Sequence, residues 1–240
     1  MTILITMRFL YTTKKKQGGF KMAKLVWDKT GERFYETGVQ KGVLYLQDAS
    51  GKYVNGVAWN GLTAVTESPS GAEATPLFAD DTKYLELRAA EDFGATLEAY
   101  TYPEEFEACD GSANLVDGVK IGQQDRVPFG LCYRTVLGND VKQNTYGYKI
   151  HLIYGATASP SEKAYSTIND SPEAVTFSWE LTTTPIEVEG FKPTATVVID
   201  STKVGAEFLK ALEAKLYGSE ELEPQLPTPN EIAQMAKQFN

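Results

Sequence analysis

Val175-Thr176-Phe177-Ser178-Trp179-Glu180-Leu181-Thr182 alternates apolar and polar side chains along its whole length. Successive side chains of a strand point to opposite faces, so Val175, Phe177, Trp179 and Leu181 share one face while Thr176, Ser178, Glu180 and Thr182 share the other. The first face is core and the second meets water or polar neighbours. Similar two-faced runs occur at Tyr84–Arg88, Thr96–Tyr102, Val127–Leu137, Tyr148–Tyr154 and Thr194–Asp200. Val43–Gln47 and Tyr53–Trp59 flank Asp48-Ala49-Ser50-Gly51, whose Asp and Gly supply the side-chain hydrogen bond and the permissive backbone of a tight reversal. From Gly42 to Asp200 the pattern predicts a mostly-β domain of two packed sheets or a flattened barrel.

Helical signals are few. Val204–Tyr217 carries the stripe Phe208, Leu209, Leu212 and Leu216 and ends before Gly218, which predicts one helix packed on the sheets. A short helical turn is expected after Pro103, with Glu104 and Glu105 at its positive end. Beyond Gly218 the chain turns to Glu and Pro and reads as a loosely attached tail, residues 219–240, with a possible short helix over Pro229–Phe239. Glu67–Thr82 and Gly155–Glu173 show no periodicity and exceed ordinary loop lengths, so each reads as either functional or ordered only by a partner. Leu77 and Phe78 in the first, and Tyr165 and Ile168 in the second, read as anchors for a neighbouring surface.

The 240 residues carry 42% hydrophobic and 11% aromatic side chains, enough to fold, and no run approaches the roughly 18 apolar residues of a spanning helix. No membrane contact is expected. Residues 1–21 hold Arg8, Lys14, Lys15, Lys16 and Lys21 and no acid; the whole chain stands at −9, leaving −14 for residues 22–240. The apolar-then-basic order of the first segment is the reverse of an export signal. Gln17-Gly18-Gly19 can be encoded by a ribosome-binding sequence at the right spacing before the Met22 codon. Residues 1–21 therefore read as a translated upstream extension, or a basic arm, ahead of a domain over residues 22–218.

The acidic balance disfavours any grip on phosphate. One histidine, His151, and two cysteines, Cys109 and Cys132, are too few for a multi-ligand zinc site, and the cysteines read as free thiols. His151 lies on the polar face of its strand. The pairs Asp80-Asp81, Glu104-Glu105 and Glu220-Glu221 lack the spacing of a calcium loop and read as solvated turns. Gly118–Gly122 lacks the residues that complete a phosphate loop. No catalytic residue, cofactor or metal is expected.

Several segments in order carry a family resemblance. They are Gly31–Val39 (GERFYETGV), Gly56–Thr63 (GVAWNGLT), Phe93–Pro103 (FGATLEAYTYP), Phe129–Thr135 (FGLCYRT), Gly147–Leu152 (GYKIHL), and Asn169–Pro172 (NDSP) leading to Phe177–Glu180 (FSWE). Residues 22 to about 218 resemble the major tail protein, or tail tube protein, of long-tailed bacteriophages that infect Gram-positive bacteria. The resemblance implies a two-sheet β-sandwich or partial barrel with one flanking helix and long assembly loops. It implies that six copies close into a ring and that stacked rings form the tube through which the genome and a tape-measure protein pass. Implied partners are the chain itself, the tape-measure protein and tail-tip and terminator proteins, with DNA passing unbound. The implied location is the virion tail, assembled in the host bacterial cytoplasm.

Within that reading, cyclic contacts would use unpaired strand edges, and the long loops would join ring to ring. Six copies at −14 would place −84 on a ring, and acids on the inner wall would repel DNA phosphates. Glu86, Glu98, Glu180 and Asp200, on polar strand faces, are the expected lumen acids. Two alternatives stand beside it. One is a monomeric β-sandwich binding or decoration module of a virion or cell surface. The other is a hydrolase using an acidic pair such as Glu104 with Asp110.

Overall fold

The structure, a computed structural model, describes residues 24–71, 73–168, 170 and 174–239. The expectations for residues 1–21 and for a start at Met22 lie outside the described residues, as do Asn169, Ser171 and Pro172 of the family-like segment.

The strands are β1 (Phe34–Gln47), β2 (Tyr53–Trp59), β3 (Leu62–Glu67), β4 (Ser70–Gly71), β5 (Ala74–Ala79), β6 (Thr82–Arg88), β7 (Glu91–Asp92) and β8 (Gly94–Ala99). A 3-10 helix (Glu104–Ala108) precedes β9 (Ala113–Val116), β10 (Val119–Ile121), β11 (Phe129–Asn139), β12 (Gln143–Ala158), β13 (Phe177–Thr183) and β14 (Thr196–Asp200). Helices α1 (Ala206–Tyr217) and α2 (Pro229–Gln238) close the chain.

One antiparallel sheet of eight strands runs β2-β1-β11-β12-β13-β8-β3, with β14 pairing β12 beside it. It folds over itself into two layers, without closing a barrel, because β12 serves both. Lys149–Ile153 pair with β14 and Ala156–Ala158 pair with β13. Between them a register shift against β11 and a positive φ of 59° at Gly155 bend the strand. A Cβ at Gly155 would stand 2.3 Å from the Thr184 carbonyl oxygen, so only glycine turns this corner.

Two cores result. Between the layers lie Leu44, Trp59, Leu97, Phe106, Phe129, Leu131, Ile153, Trp179 and Leu181. The opposite face of β1, β2, β11, β12 and β14 packs Val43, Tyr45, Cys132, Ile150, Leu152 and Ile199 against Phe208, Leu212 and Leu216 of α1 and Ile232 of α2. The alternation of β13 holds, with Trp179 and Leu181 buried and Glu180 and Thr182 exposed. The hairpin over Asp48–Gly51 holds as well. The mainly-β, sandwich-like reading with a flanking helix is therefore the observed architecture, except that two helices flank it.

Several expectations are corrected. The tail is not loose. Leu226 donates its N–H to the Tyr53 carbonyl and Gly56 donates to the Pro224 carbonyl, so the segment lies along the outer edge of β2. Leu226 and Ile232 are buried, and the Tyr154 hydroxyl donates to the Pro227 carbonyl. The Pro and Glu content that reads as loose instead sets an extended strap and a capped helix: Thr228 and Glu231 form a reciprocal capping box with Pro229 in the first turn.

Glu67–Thr82 is not an aperiodic loop either, because β4 and β5 occupy it and pair with β7 and β6. Asp80 and Asp81 both take positive φ, 50° and 60°, in the turn that reverses this ribbon. Gly155–Ala158 belongs to β12, which leaves 159–176 without helix or strand among the described residues.

Leu226→Ala should destabilise the chain by about 3 kcal/mol, the usual cost of emptying a buried leucine site. Thr228→Ala should cost about 1 kcal/mol through the lost cap. Urea unfolding followed by tryptophan fluorescence and circular dichroism measures both; a loose tail would leave either substitution silent.

Candidate functional site

Among the described residues no helix covers the outer face of the β13-β8-β3 layer. The register sets Ala64 and Ser178 beside Glu98, and Thr66 and Glu180 beside Thr96, with Thr157 opposite Thr182 at the margin. Strands β3, β8 and β13 contain no Lys, Arg or His. This face is a sheet of hydroxyls, small side chains and two carboxylates with no cation, while its reverse side is mainly apolar core with Glu67 at its margin.

Of the four expected lumen acids, only Glu98 and Glu180 share it. Asp200 lies on β14, where its carboxylate accepts the Thr202 N–H at 2.9 Å and the Thr202 hydroxyl at 2.6 Å. Burial alone would raise the Asp200 carboxyl, but these hydrogen bonds and the Lys203 and Lys149 charges bring it below the usual aspartate range. Glu86 lies on β6, ion-paired with Lys83. A shared polar parity within each strand did not place the four together, because the strands belong to different layers.

From the end of β3 and the start of β8 a two-stranded ribbon projects, β4-β5 out and β6-β7 back. Every residue of β5 and β6 is exposed. Leu77 pairs with Leu85 and Thr75 with Leu87, so one ribbon face is leucine-lined; Phe78 is 69% and Tyr84 71% exposed. A lone hairpin of this kind is marginal in water, so its apolar content fits a contact outside the chain. A second hairpin, β9-β10, exposes Leu115, Val116 and Val119 around Asp117-Gly118. This hairpin is not among the expected elements, although Asp-Gly between alternating apolar residues is the standard short-range signal for such a turn.

Tyr165 and Ile168 are exposed at 76% and 85%, as anchors for a neighbour would be. The root of their connection is fixed by a buried hub. Asp110 accepts from Trp179 Nε1 at 3.1 Å, is ion-paired with Lys163, and lies 3.6 Å from the Arg126 guanidinium. Burial alone would lower the Lys163 ammonium, but the hydrogen bond and charge of Asp110 raise it above the ordinary lysine value. Both Asp110 oxygens are thus engaged in holding structure, and Glu104 is exposed at the start of the 3-10 helix. The hydrolase alternative loses its acidic pair.

His151 is not on a solvated face: it is 9% exposed, and its ring stacks on Tyr133 with centroids 4.7 Å apart. Both faces of β12 are covered here, which a single-strand reading of polarity does not reveal. Nε2 lies 3.0 Å from the Thr135 hydroxyl and 3.4 Å from Glu36, while Nδ1 lies 3.5 Å from Glu67. Tyr133 donates to Glu67 at 2.6 Å. Burial alone would raise the Glu36 carboxyl, but hydrogen bonds from Lys149 and Thr135 bring it below the usual glutamate range. This network spans β1, β3, β11 and β12, fastening Glu67, the residue from which the ribbon departs. Among the described residues no cluster of three or more His, Cys, Asp or Glu could hold a metal ion. Burial pushes both thiols, Cys109 and Cys132, up to about 12.

No protein-family model matches the chain, and no curated protein matches it. Solved structures similar in outline include the PVC sheath/tube terminator of an extracellular contractile injection system in the extended state. That chain is 9% identical, with 73% of this chain and 99% of that one covered and a TM-score of 0.33. A chain of the PVC sheath-tube complex in the extended state is 12% identical, covering 67% and 88%, with a TM-score of 0.29. The tube-terminating cap of the anti-feeding prophage is 10% identical, covering 76% and 99%, with a TM-score of 0.31.

Two outcomes follow from the hub and the thiols. Asp110→Asn should cost about 3 kcal/mol by leaving Lys163 and Arg126 without their shared anion, and should speed proteolysis between residues 159 and 168. Native protein should take up no thiol reagent at pH 7, and both cysteines should react only after unfolding.

Proposed function

We propose that the chain is a structural subunit of a tail-type tube, whose copies close into rings, six by the family resemblance, that stack into a hollow conduit for DNA. The observation that carries this reading is the cation-free outer face of β13-β8-β3. A wall that phosphate must slide past needs polar groups to stay wetted and no lysine or arginine to hold the backbone; this face has hydroxyls, Glu98 and Glu180 and nothing basic. It becomes the inner wall, with α1 and α2 on the far side of the other layer. The ribbon β5-β6 and the segment bearing Tyr165 and Ile168 supply the contacts between subunits. Neither needs a cofactor, and the chain acts without catalysis. Tape-measure, tip and terminator proteins are its further partners, and the virion tail its location.

One observation favours the monomeric binding or decoration module as a second reading: the sheet edges at β1, β2 and β14 are blunted. The strap Pro224–Leu226 lies on β2. Thr194 Oγ1 occupies the backbone of Thr196, and the Lys203 N–H donates to the Asp200 carbonyl, which blunts both ends of the outer edge of β14. β1 is bulged twice, at Thr37/Gln40 and Gln40/Val43. In the tube reading these devices keep the free subunit soluble until it meets a growing end.

Negative-stain microscopy of concentrated protein, seeded with tail tips or with sonicated tube fragments, should show rings or hollow rods. Protein that stays monomeric under seeding supports the decoration module instead. Glu98→Lys with Glu180→Lys should leave assembly intact and make the tubes retain DNA at low salt, read by co-sedimentation. Tubes that ignore DNA despite both lysines would remove this face from the wall.

A further inference from the structure

We propose that the outer edge of β6 pairs antiparallel with β6 of a second copy of this chain, on a twofold axis through Leu87. Pro76 fixes which edge is open. It has no N–H, so its pair with Glu86 is a non-hydrogen-bonded one, and the pairs that exchange hydrogen bonds are Thr75 with Leu87 and Leu77 with Leu85. The backbone groups of Ala74 and Pro76 therefore face outward from β5, where proline leaves a donor missing. Those of Glu86 and Arg88 face outward from β6 with donors and acceptors complete.

That open edge is self-complementary. With Leu87 opposite the second copy's Leu87, Glu86 stands opposite the second copy's Arg88, and Arg88 opposite its Glu86. Each such pair exchanges two backbone hydrogen bonds and brings opposite charges face to face. Sliding by two residues either way sets Glu86 against Glu86 or Arg88 against Arg88, so charge selects the register. Arg88, 4.0 Å from Glu86 along its own strand, is 70% exposed in its side chain and free to reach across. The pairing makes a four-stranded sheet of two ribbons that are each marginal alone, and lines Leu77, Leu85 and Leu87 of both copies along one face. The contact is isologous, whereas a ring needs heterologous contacts. It therefore does not rest on the tube reading; it describes how free subunits shield their ribbons in pairs.

The test is the association state of the full chain, by sedimentation equilibrium from micromolar to millimolar protein at low salt. Wild type should show a monomer–dimer equilibrium. Glu86→Arg and Arg88→Glu should each weaken dimerisation about tenfold or more, since each replaces two attractive pairs by two like-charge pairs, and the double exchange should restore it. Leu87→Cys should give a disulfide-linked dimer on mild oxidation, whereas Ala74→Cys, on the proline-blocked edge, should not. A wild type that stays monomeric throughout, single reversals without effect, an exchange that fails to rescue, or no cross-link at Leu87 would each overturn the pairing. Tube formation under seeding is scored separately and can fail or succeed with either result.

Discussion

Burial of β11 and β12 on both faces is the constraint from which the rest of the molecule follows. Phe129 to Tyr133 and Ile150 to Ala156 are buried without interruption. Half of their side chains fill the space between the layers and half fill the space under the helices. Strands buried on both faces must be covered twice. The first cover is made by bending β12 at Gly155 so that the sheet folds back over itself. The second is made by α1, the strap and α2. Close approach is built in at Gly130, where a Cβ would lie 2.4 Å from a Leu226 methyl. The chain end is thus part of the core and not an appendage.

This construction leaves a consistent division of surfaces. One side carries helices and the strap. The opposite side presents a bare sheet face whose polarity is uniform and whose charge is of one sign. From the join between β3 and β8 the ribbon departs, rooted by the network of Glu67, Tyr133, His151 and Glu36. The body is blunted at β1, β2 and β14, while the ribbon carries exposed leucine, phenylalanine and tyrosine together with an open backbone edge. Contact potential is concentrated where the core contributes least to holding the chain rigid, as expected when association must be separated from folding.

The lone histidine illustrates why a site cannot be read from residue identity. On its strand His151 alternates with apolar residues and looks like a solvated position. In space it is stacked on a tyrosine and bracketed by two carboxylates from different strands. Asp110 is a parallel case: a carboxylate near another acid in sequence reads as chemistry, yet its oxygens are taken by an indole and two cations. Both groups cement the polar margins of an apolar core, where an unpaired charge would be costly.

Local pattern was sufficient for most strands of the eight-stranded sheet, for the stripe and glycine stop of α1, for the hairpin at Asp48–Gly51 and for the class of the fold, because alternation, helical periodicity and turn chemistry act over a few residues. It also singled out Leu77, Phe78, Tyr165 and Ile168, which are exposed apolar side chains in the structure. Which layer a strand joins, and hence which of Glu86, Glu98, Glu180 and Asp200 are neighbours, depends on pairings between residues far apart in the chain, and on the bend at Gly155 that routes β12 into both layers. The strap over β2 and the covering of His151 have the same origin: burial is a property of what arrives from elsewhere, and a strand cannot announce in its own residues whether its polar face will meet water or another part of the protein.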